Sequence, residues 1–184
     1  SLVGLTALTA LEKTAMIEPG MDVLIHAGAG GVGAFAIQYS KFCGAKVFAT
    51  ASEANVDFVT QLGADEVINY RTVDFRDVLS NLDVVYDTMG GDTHLKSYDV
   101  LRSGGLLVGL NAEPLPDEKP RGDIRVEIPL VDYDRAGVNR IVELLRVKAV
   151  RPSVSAVFAL SDAIDAYKLS ETTHAKGKIV LSIK

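Results

Sequence analysis

Short, nearly continuous apolar runs alternate along this chain with stretches in which apolar residues return every three or four positions. Between positions 6 and 17, Leu8, Leu11, Ala15 and Met16 fall at helical spacing, and Pro19-Gly20 closes that helix. Residues 21–27 (MDVLIHA) are almost uniformly apolar and predict a strand covered on both faces. A glycine-rich turn follows at 28–33, then a helix over 32–43 stopped at Gly44. The cycle repeats with strands at 46–51, 66–69, 83–87 and 106–110. Helices are predicted at 53–62 and 93–101, with a helical turn or two at 74–79.

Alternation at this pitch implies right-handed crossovers and an α/β fold, a doubly wound parallel sheet with helices on both faces. Residues 111–122, with Pro114, Pro116 and Pro120 among charges, read as a loop within one domain spanning 1–184. From Ile124 to Val131 the chain predicts an edge or crossing strand, because Pro129 argues against a central place. An amphipathic helix at 135–148, a strand at 154–158 and a helix at 161–170 capped by Ser161 come next. A strand at 177–183 closes the sequence.

Composition narrows the classes without choosing among enzymes. The chain has 184 residues, 48% of them hydrophobic and 23% charged, as expected of a globular domain. A net charge of −5 with no basic cluster gives no footprint for nucleic acid or an anionic membrane surface. No apolar stretch is long enough to span a bilayer, so the expected location is cytoplasmic. The single cysteine, Cys43, rules out an internal disulfide.

The chemistry is concentrated in Gly28-Ala29-Gly30-Gly31-Val32-Gly33, which satisfies G-x-G-x-x-G through Gly28, Gly30 and Gly33. The motif follows a buried strand and opens a helix, the setting in which it binds a dinucleotide. A side chain at Gly30 would hold the backbone off the pyrophosphate, and the helix N-terminus offers free N–H groups and partial positive charge. About 20 residues further on, an NAD site carries a carboxylate for the ribose 2′-hydroxyl. Here the second strand ends Thr50-Ala51-Ser52, followed by Glu53. Ser52 suits a 2′-phosphate and so NADPH; a strand one residue longer would make Glu53 the ribose ligand and favour NADH. Alternatively, Ser52 and Glu53 serve as N-cap and first-turn acid of the next helix.

Together with Gly4-Leu5-Thr6-Ala7, Leu62-Gly63-Ala64-Asp65, Ile68-Asn69-Tyr70 and Ala175-Lys176-Gly177-Lys178-Ile179-Val180-Leu181, the motif resembles the medium-chain dehydrogenase/reductase superfamily. The nearest branch is its zinc-free, quinone oxidoreductase-like group, and the resemblance covers nearly the whole chain. It implies a Rossmann-type domain that binds NADPH for hydride transfer to a quinone or activated alkene. It further implies an N-terminal GroES-like catalytic domain, not among these residues, forming the other wall of the active site. On the same grounds Thr6 and residues Gly30, Gly31, Val32 and Gly33 lie against the pyrophosphate and nicotinamide half. Ser52 and Tyr70 surround the 2′-phosphate, and Met89, Gly90, Leu110 and Asn111 fall where the cofactor passes. Many NADPH-using members carry a lysine shortly after the serine, where this chain reads Glu53-Ala54-Asn55; Arg71 is the expected replacement cation. Relatives pair through the sheet edge, so 124–131 is the expected homodimer contact. The last strand would need a new partner or remain an exposed edge.

No metal site and no nucleophile–base–orienter set is legible. His26 is read as a satisfied, half-buried histidine beside the turn, His94 and His174 as isolated, and Asp87 as a capping or ribose-side residue. Tyr70 and Tyr133 are the tyrosines expected near ligand, with Tyr167 in packing. Two other readings remain: the enoyl-reductase domain of a fatty-acid or polyketide synthase, and a non-catalytic dinucleotide-binding module.

Overall fold

The computed structural model describes residues 2–110, 119–131, 133–172 and 176–183. Helix α1 (Leu2–Leu8) runs straight into a π-helical stretch, Thr9–Thr14, before β1 (Asp22–Ile25). Then come α2 (Gly31–Phe42), β2 (Lys46–Ala51), α3 (Val56–Gln61), β3 (Glu66–Asn69), β4 (Leu82–Asp87) and α4 (Gly91–Val100). The remainder is β5 (Leu101–Gly109), β6 (Arg125–Glu127), α5 (Arg135–Arg146), β7 (Val154–Ala159), α6 (Ala163–Glu171) and β8 (Lys178–Ser182).

Six strands form one sheet in the order β3-β2-β1-β4-β5-β6, and every neighbouring pair is parallel. This is the doubly wound α/β arrangement expected from the sequence. Strand order reverses between β1 and β4, which opens a crevice at their C-terminal ends. Alternating residues of β1 enter different cores: Val23 and Ile25 pack with α1 and α2, Leu24 with Phe48, Val85 and Tyr98 on the opposite face. With both faces covered, the strands can be apolar throughout, which is why they were legible as continuous runs.

Some boundaries differ from the expectation. The first helix changes hydrogen-bond register after Leu8, where Ala15 N–H reaches Ala10 at 2.8 Å and the Thr14 hydroxyl donates to the Thr9 carbonyl. Strand β6 keeps three residues of the eight predicted, because Pro129 lacks a ladder donor. Leu130 beyond it is 93% exposed. Helix α6 takes Asp162, not Ser161, at its N-cap position; the Ser161 hydroxyl donates to the Asp162 carboxylate at 3.0 Å. Tyr167, expected in packing, is exposed. Residues 111–118 of the predicted loop lie outside the described residues. Among the described residues no helix is long and apolar enough to cross a membrane.

The final strand finds a partner within the chain. Strand β8 pairs parallel with β7 in a separate two-stranded sheet. Just before it, the Gly177 N–H donates to the Ala29 carbonyl at 2.9 Å and a bridge joins Gly177 to Gly30. Gly177 has φ +71°, and a Cβ there would run into the Ser153 carbonyl, so glycine is required.

Candidate functional site

The crevice at the β1–β4 reversal is a cleft of about 800 Å³. Its floor is the strand ends of β1 and β2. One wall is the 70–75 loop after β3, and the other is Met89 with the first turns of α4.

The glycine turn is built by backbone ties to β2. Gly28 N–H donates to the Thr50 carbonyl at 2.9 Å, and Gly30 N–H turns back onto the Ala27 carbonyl at 3.0 Å. Ala27 itself sits at φ +50°, a conformation that costs a non-glycine residue about 1 kcal/mol or more. The three motif glycines are needed for different reasons. A Cβ on Gly28 would press on Ile37, Ala49 and Val59 at 3.0–3.2 Å, so its absence lets α2 pack closely on the sheet. One on Gly33 would strike the Ala27 carbonyl oxygen, so its absence lets the turn close. One on Gly30 meets only that oxygen, at 3.3 Å, and otherwise projects into open space. Above Gly30 the turn is therefore open toward the cleft, beside the N-terminus of α2.

Of the sequence-derived candidates, Gly30, Ser52, Tyr70, Arg71 and Met89 line the cleft. Gly28, Gly31, Val32 and Gly33 shape the turn behind its surface, and Gly90 and Leu110 are not on the lining. Thr6 is placed differently from the expectation: it is buried in α1, its hydroxyl donating to the Leu2 carbonyl at 2.9 Å, and it does not line the cleft. Asn111 lies outside the described residues. Strand β2 ends at Ala51, so Ser52 rather than Glu53 stands at the strand end facing the cleft. Glu53 lines only an adjoining recess of about 560 Å³, shared with Ser52, Asn69 and Arg71. Ser52 makes no side-chain capping bond, leaving its hydroxyl uncommitted. The Arg71 backbone N–H bonds Asn69, while its guanidinium forms no ion pair among the described residues. Thr50, Asn55, Thr93 and Lys96 also line the cleft and were missed, since they come from three separate segments and none carries a local motif.

Behind the cleft lies a buried polar cluster. Asp87 is completely buried; one carboxylate oxygen accepts the Met89 and Gly90 N–H groups at 2.9 and 3.0 Å, the other pairs with His94 Nδ1 at 2.9 Å. Burial alone would raise the Asp87 pKa. The His94 bond and the Gly90 and Met89 N–H groups outweigh it and hold the carboxyl below its ordinary value. The capping role read for Asp87 is what the geometry displays. His94 is not isolated but is its partner.

His26 is fully buried, not half-buried, between Thr50, Ser97 and the Phe75 ring, with the Asp87–His94 pair behind it. Burial lowers its pKa from 6.5 to about 4, against a smaller upward pull from Asp87. The unfolded chain therefore takes up a proton below pH 6.5 that the folded chain refuses until about pH 4. Stability is full above pH 6.5 and is lost as pH falls toward 4, by about 3 kcal/mol. Denaturant titrations at steps across this window will show that slope, and His26→Gln will flatten it.

A parallel sheet in this order, with a glycine turn open at its crevice, defines a dinucleotide-binding α/β domain. More particularly, the chain belongs to the zinc-binding dehydrogenase family, whose model matches residues 62–181. It is 32% identical to the 2-haloacrylate reductase of a Burkholderia species over 98% of this chain and 61% of that protein. The structure of Escherichia coli quinone oxidoreductase complexed with NADPH superposes with a TM-score of 0.88 at 29% identity, covering 100% of this chain and 63% of that one. The CurK enoyl reductase superposes at 0.87 with 28% identity, over 100% of this chain and 60% of that one. The resemblance to the quinone oxidoreductase-like medium-chain dehydrogenases is thus borne out, and the chain spans about six-tenths of the relatives it matches. Despite the family's description, no three His, Cys, Asp or Glu side chains among the described residues are grouped to hold a metal ion.

Proposed function

We propose that residues 1–184 form the NADPH-binding domain of a reductase that transfers hydride to a quinone or activated alkene. In this reading a GroES-like catalytic domain supplies the other wall of the active site. The observation that carries the cofactor choice is the recess shared by the Ser52 hydroxyl and the Arg71 guanidinium, neither of which has a side-chain partner among the described residues. Arginine's planar fork suits a phosphate, and Arg71 would replace the lysine that many NADPH-using relatives carry after the serine. Tyr70, exposed at the same rim, covers the adenosine side. Gly30 and the α2 N-terminus hold the pyrophosphate, and Met89 flanks its path. The bound cofactor supplies the hydride; these residues orient it and fix which dinucleotide is accepted.

Calorimetric titration of the chain with NADPH and NADH tests this reading. NADPH is expected to bind about 10–100-fold more tightly, the range of a charge-assisted hydrogen bond. Arg71→Ala should erase most of that margin and leave NADH binding unchanged. Tighter binding of NADH would assign ribose recognition to Glu53 and overturn the cofactor choice.

A second reading, the enoyl-reductase domain of a polyketide synthase, draws support from the CurK likeness. Carrier or ketoreductase sequence flanking this chain would favour it. In either case two copies would pair through β6, the sheet edge whose following residues Ile128 and Leu130 are exposed. A dimer mass in solution, lost on Leu130→Glu, would support that pairing.

A further inference from the structure

The hydrogen bonds around His26 have a direction that can be worked out from donors and acceptors alone. The Ser97 oxygen lies 2.7 Å from the Thr93 carbonyl, which can only accept, so the serine's one proton goes there. Ser97 can then only accept from His26 Nε2, 3.1 Å away, and that nitrogen carries the imidazole proton. A neutral ring leaves Nδ1 bare, so it accepts from the Thr50 hydroxyl at 3.2 Å. The Thr50 oxygen in turn accepts the Ala27 N–H, also at 3.2 Å. One unbroken chain of donors therefore runs from Ala27 through Thr50, His26 and Ser97 to Thr93.

Its two ends stand on different parts of the cofactor cleft. Ala27 is the left-handed residue that starts the glycine turn, and Thr93 lies in the first turn of α4. Both line the cleft, as do His26 and Thr50 between them. The Thr88 hydroxyl donates to the His26 carbonyl at 2.8 Å, tying the loop after β4 to the same residue. Every bond in the relay crosses between elements or fixes a turn, except Ser97 to Thr93 within α4.

From this we infer that His26, locked as the Nε2–H tautomer, is a positioning residue that sets the glycine turn at a fixed spacing from α4. It acts through Thr50 on Ala27 and through Ser97 on α4, and it touches no reacting atom. The inference rests on the dinucleotide reading above, and it goes further by naming what holds the pyrophosphate turn in its strained conformation. Because the pyrophosphate is common to both dinucleotides, loss of the relay must weaken NADPH and NADH equally. That separates it from Arg71, whose loss is selective for NADPH.

The test has two arms. Long-range ¹H–¹⁵N spectra of the unaltered, ¹⁵N-labelled chain, with His26 assigned from the His26→Gln spectrum, report the tautomer directly. A protonated Nε2 and a bare Nδ1, persisting from pH 7 to pH 5, are expected. In the second arm, Thr50→Val is expected to lower NADPH and NADH affinity alike by about tenfold. Thr50→Ser, which restores the hydroxyl, should return both to within about twofold of the unaltered chain. An Nδ1–H tautomer, a charged ring at pH 6, or unaltered dinucleotide binding in Thr50→Val would each overturn the inference. Should Thr50→Val fail to fold, the spectra of the unaltered chain still decide the relay's direction. Failure of the unaltered chain to bind either dinucleotide overturns the reading beneath it, a different result from a Thr50→Val chain that binds normally.

Discussion

Replacing Gly33 by alanine will abolish dinucleotide binding and destabilise the fold as well. The added methyl would land on the Ala27 carbonyl oxygen, within 2.9 Å of Gly28 Cα and 3.0 Å of the Ala27 carbonyl carbon. All three are backbone atoms, so no rotamer change can relieve the clash. The turn must open, and opening it breaks the Gly30 N–H bond to Ala27 that closes it. Overpacking of this kind costs about 1–3 kcal/mol, measurable as a shift in the urea midpoint. Gly30→Ala is the informative contrast. Its methyl meets only one atom, at 3.3 Å, and points into the opening over the turn. That variant should unfold with the unaltered chain yet bind neither NADPH nor NADH. If Gly30→Ala bound normally, the pyrophosphate would have to lie elsewhere.

A larger loss of stability is expected from Asp87→Ala. The substitution strips an acceptor from the Met89 and Gly90 N–H groups and leaves His94 buried without its carboxylate. Removing one member of a buried pair costs about 3–5 kcal/mol, or about 6–20 °C in thermal midpoint for a domain of this size. Asp87→Asn retains an acceptor for the backbone groups and should lose less. Because the folded Asp87 carboxyl is held below its ordinary pKa, its contribution persists at neutral pH and disappears only in strong acid, as pH falls through the folded value. That places it below the window in which His26 acts, so the two can be measured separately. A thermal scan of Asp87→Ala matching the unaltered chain would mean that the turn before α4 is held by other contacts.

The strands were legible because burial on both faces makes them uninterrupted apolar runs. Strands β2 and β3 begin and end where the pattern alone puts them. The glycine turn was legible because backbone atoms crowd Gly33, and the side chains of Ile37, Ala49 and Val59 crowd Gly28. What escaped the sequence depends on contacts between distant segments. The π-helical register at Thr9–Thr14 has no residue signature. Thr6 looked like a cleft residue by resemblance, yet its hydroxyl is turned onto the α1 backbone. His26 and His94 looked inert one at a time; only the fold brings His94 to Asp87 and His26 to Ser97. Asn55 reaches the cleft from the turn just before α3, Thr93 and Lys96 from α4, and nothing near them in sequence announces it.

The bridge from Gly177 to Gly30 joins the first crossover of the six-stranded sheet to the residue just before β8, in the separate two-stranded sheet. During synthesis Gly30 leaves the ribosome long before Gly177 does. The sheet β3-β2-β1-β4-β5 can assemble while β7 and β8 are still unmade, but the glycine turn then lacks its Gly177 contact. The ability to bind cofactor should therefore mature after the sheet has formed, so a nascent chain halted before Lys176 would be folded in its core and still incomplete at its site.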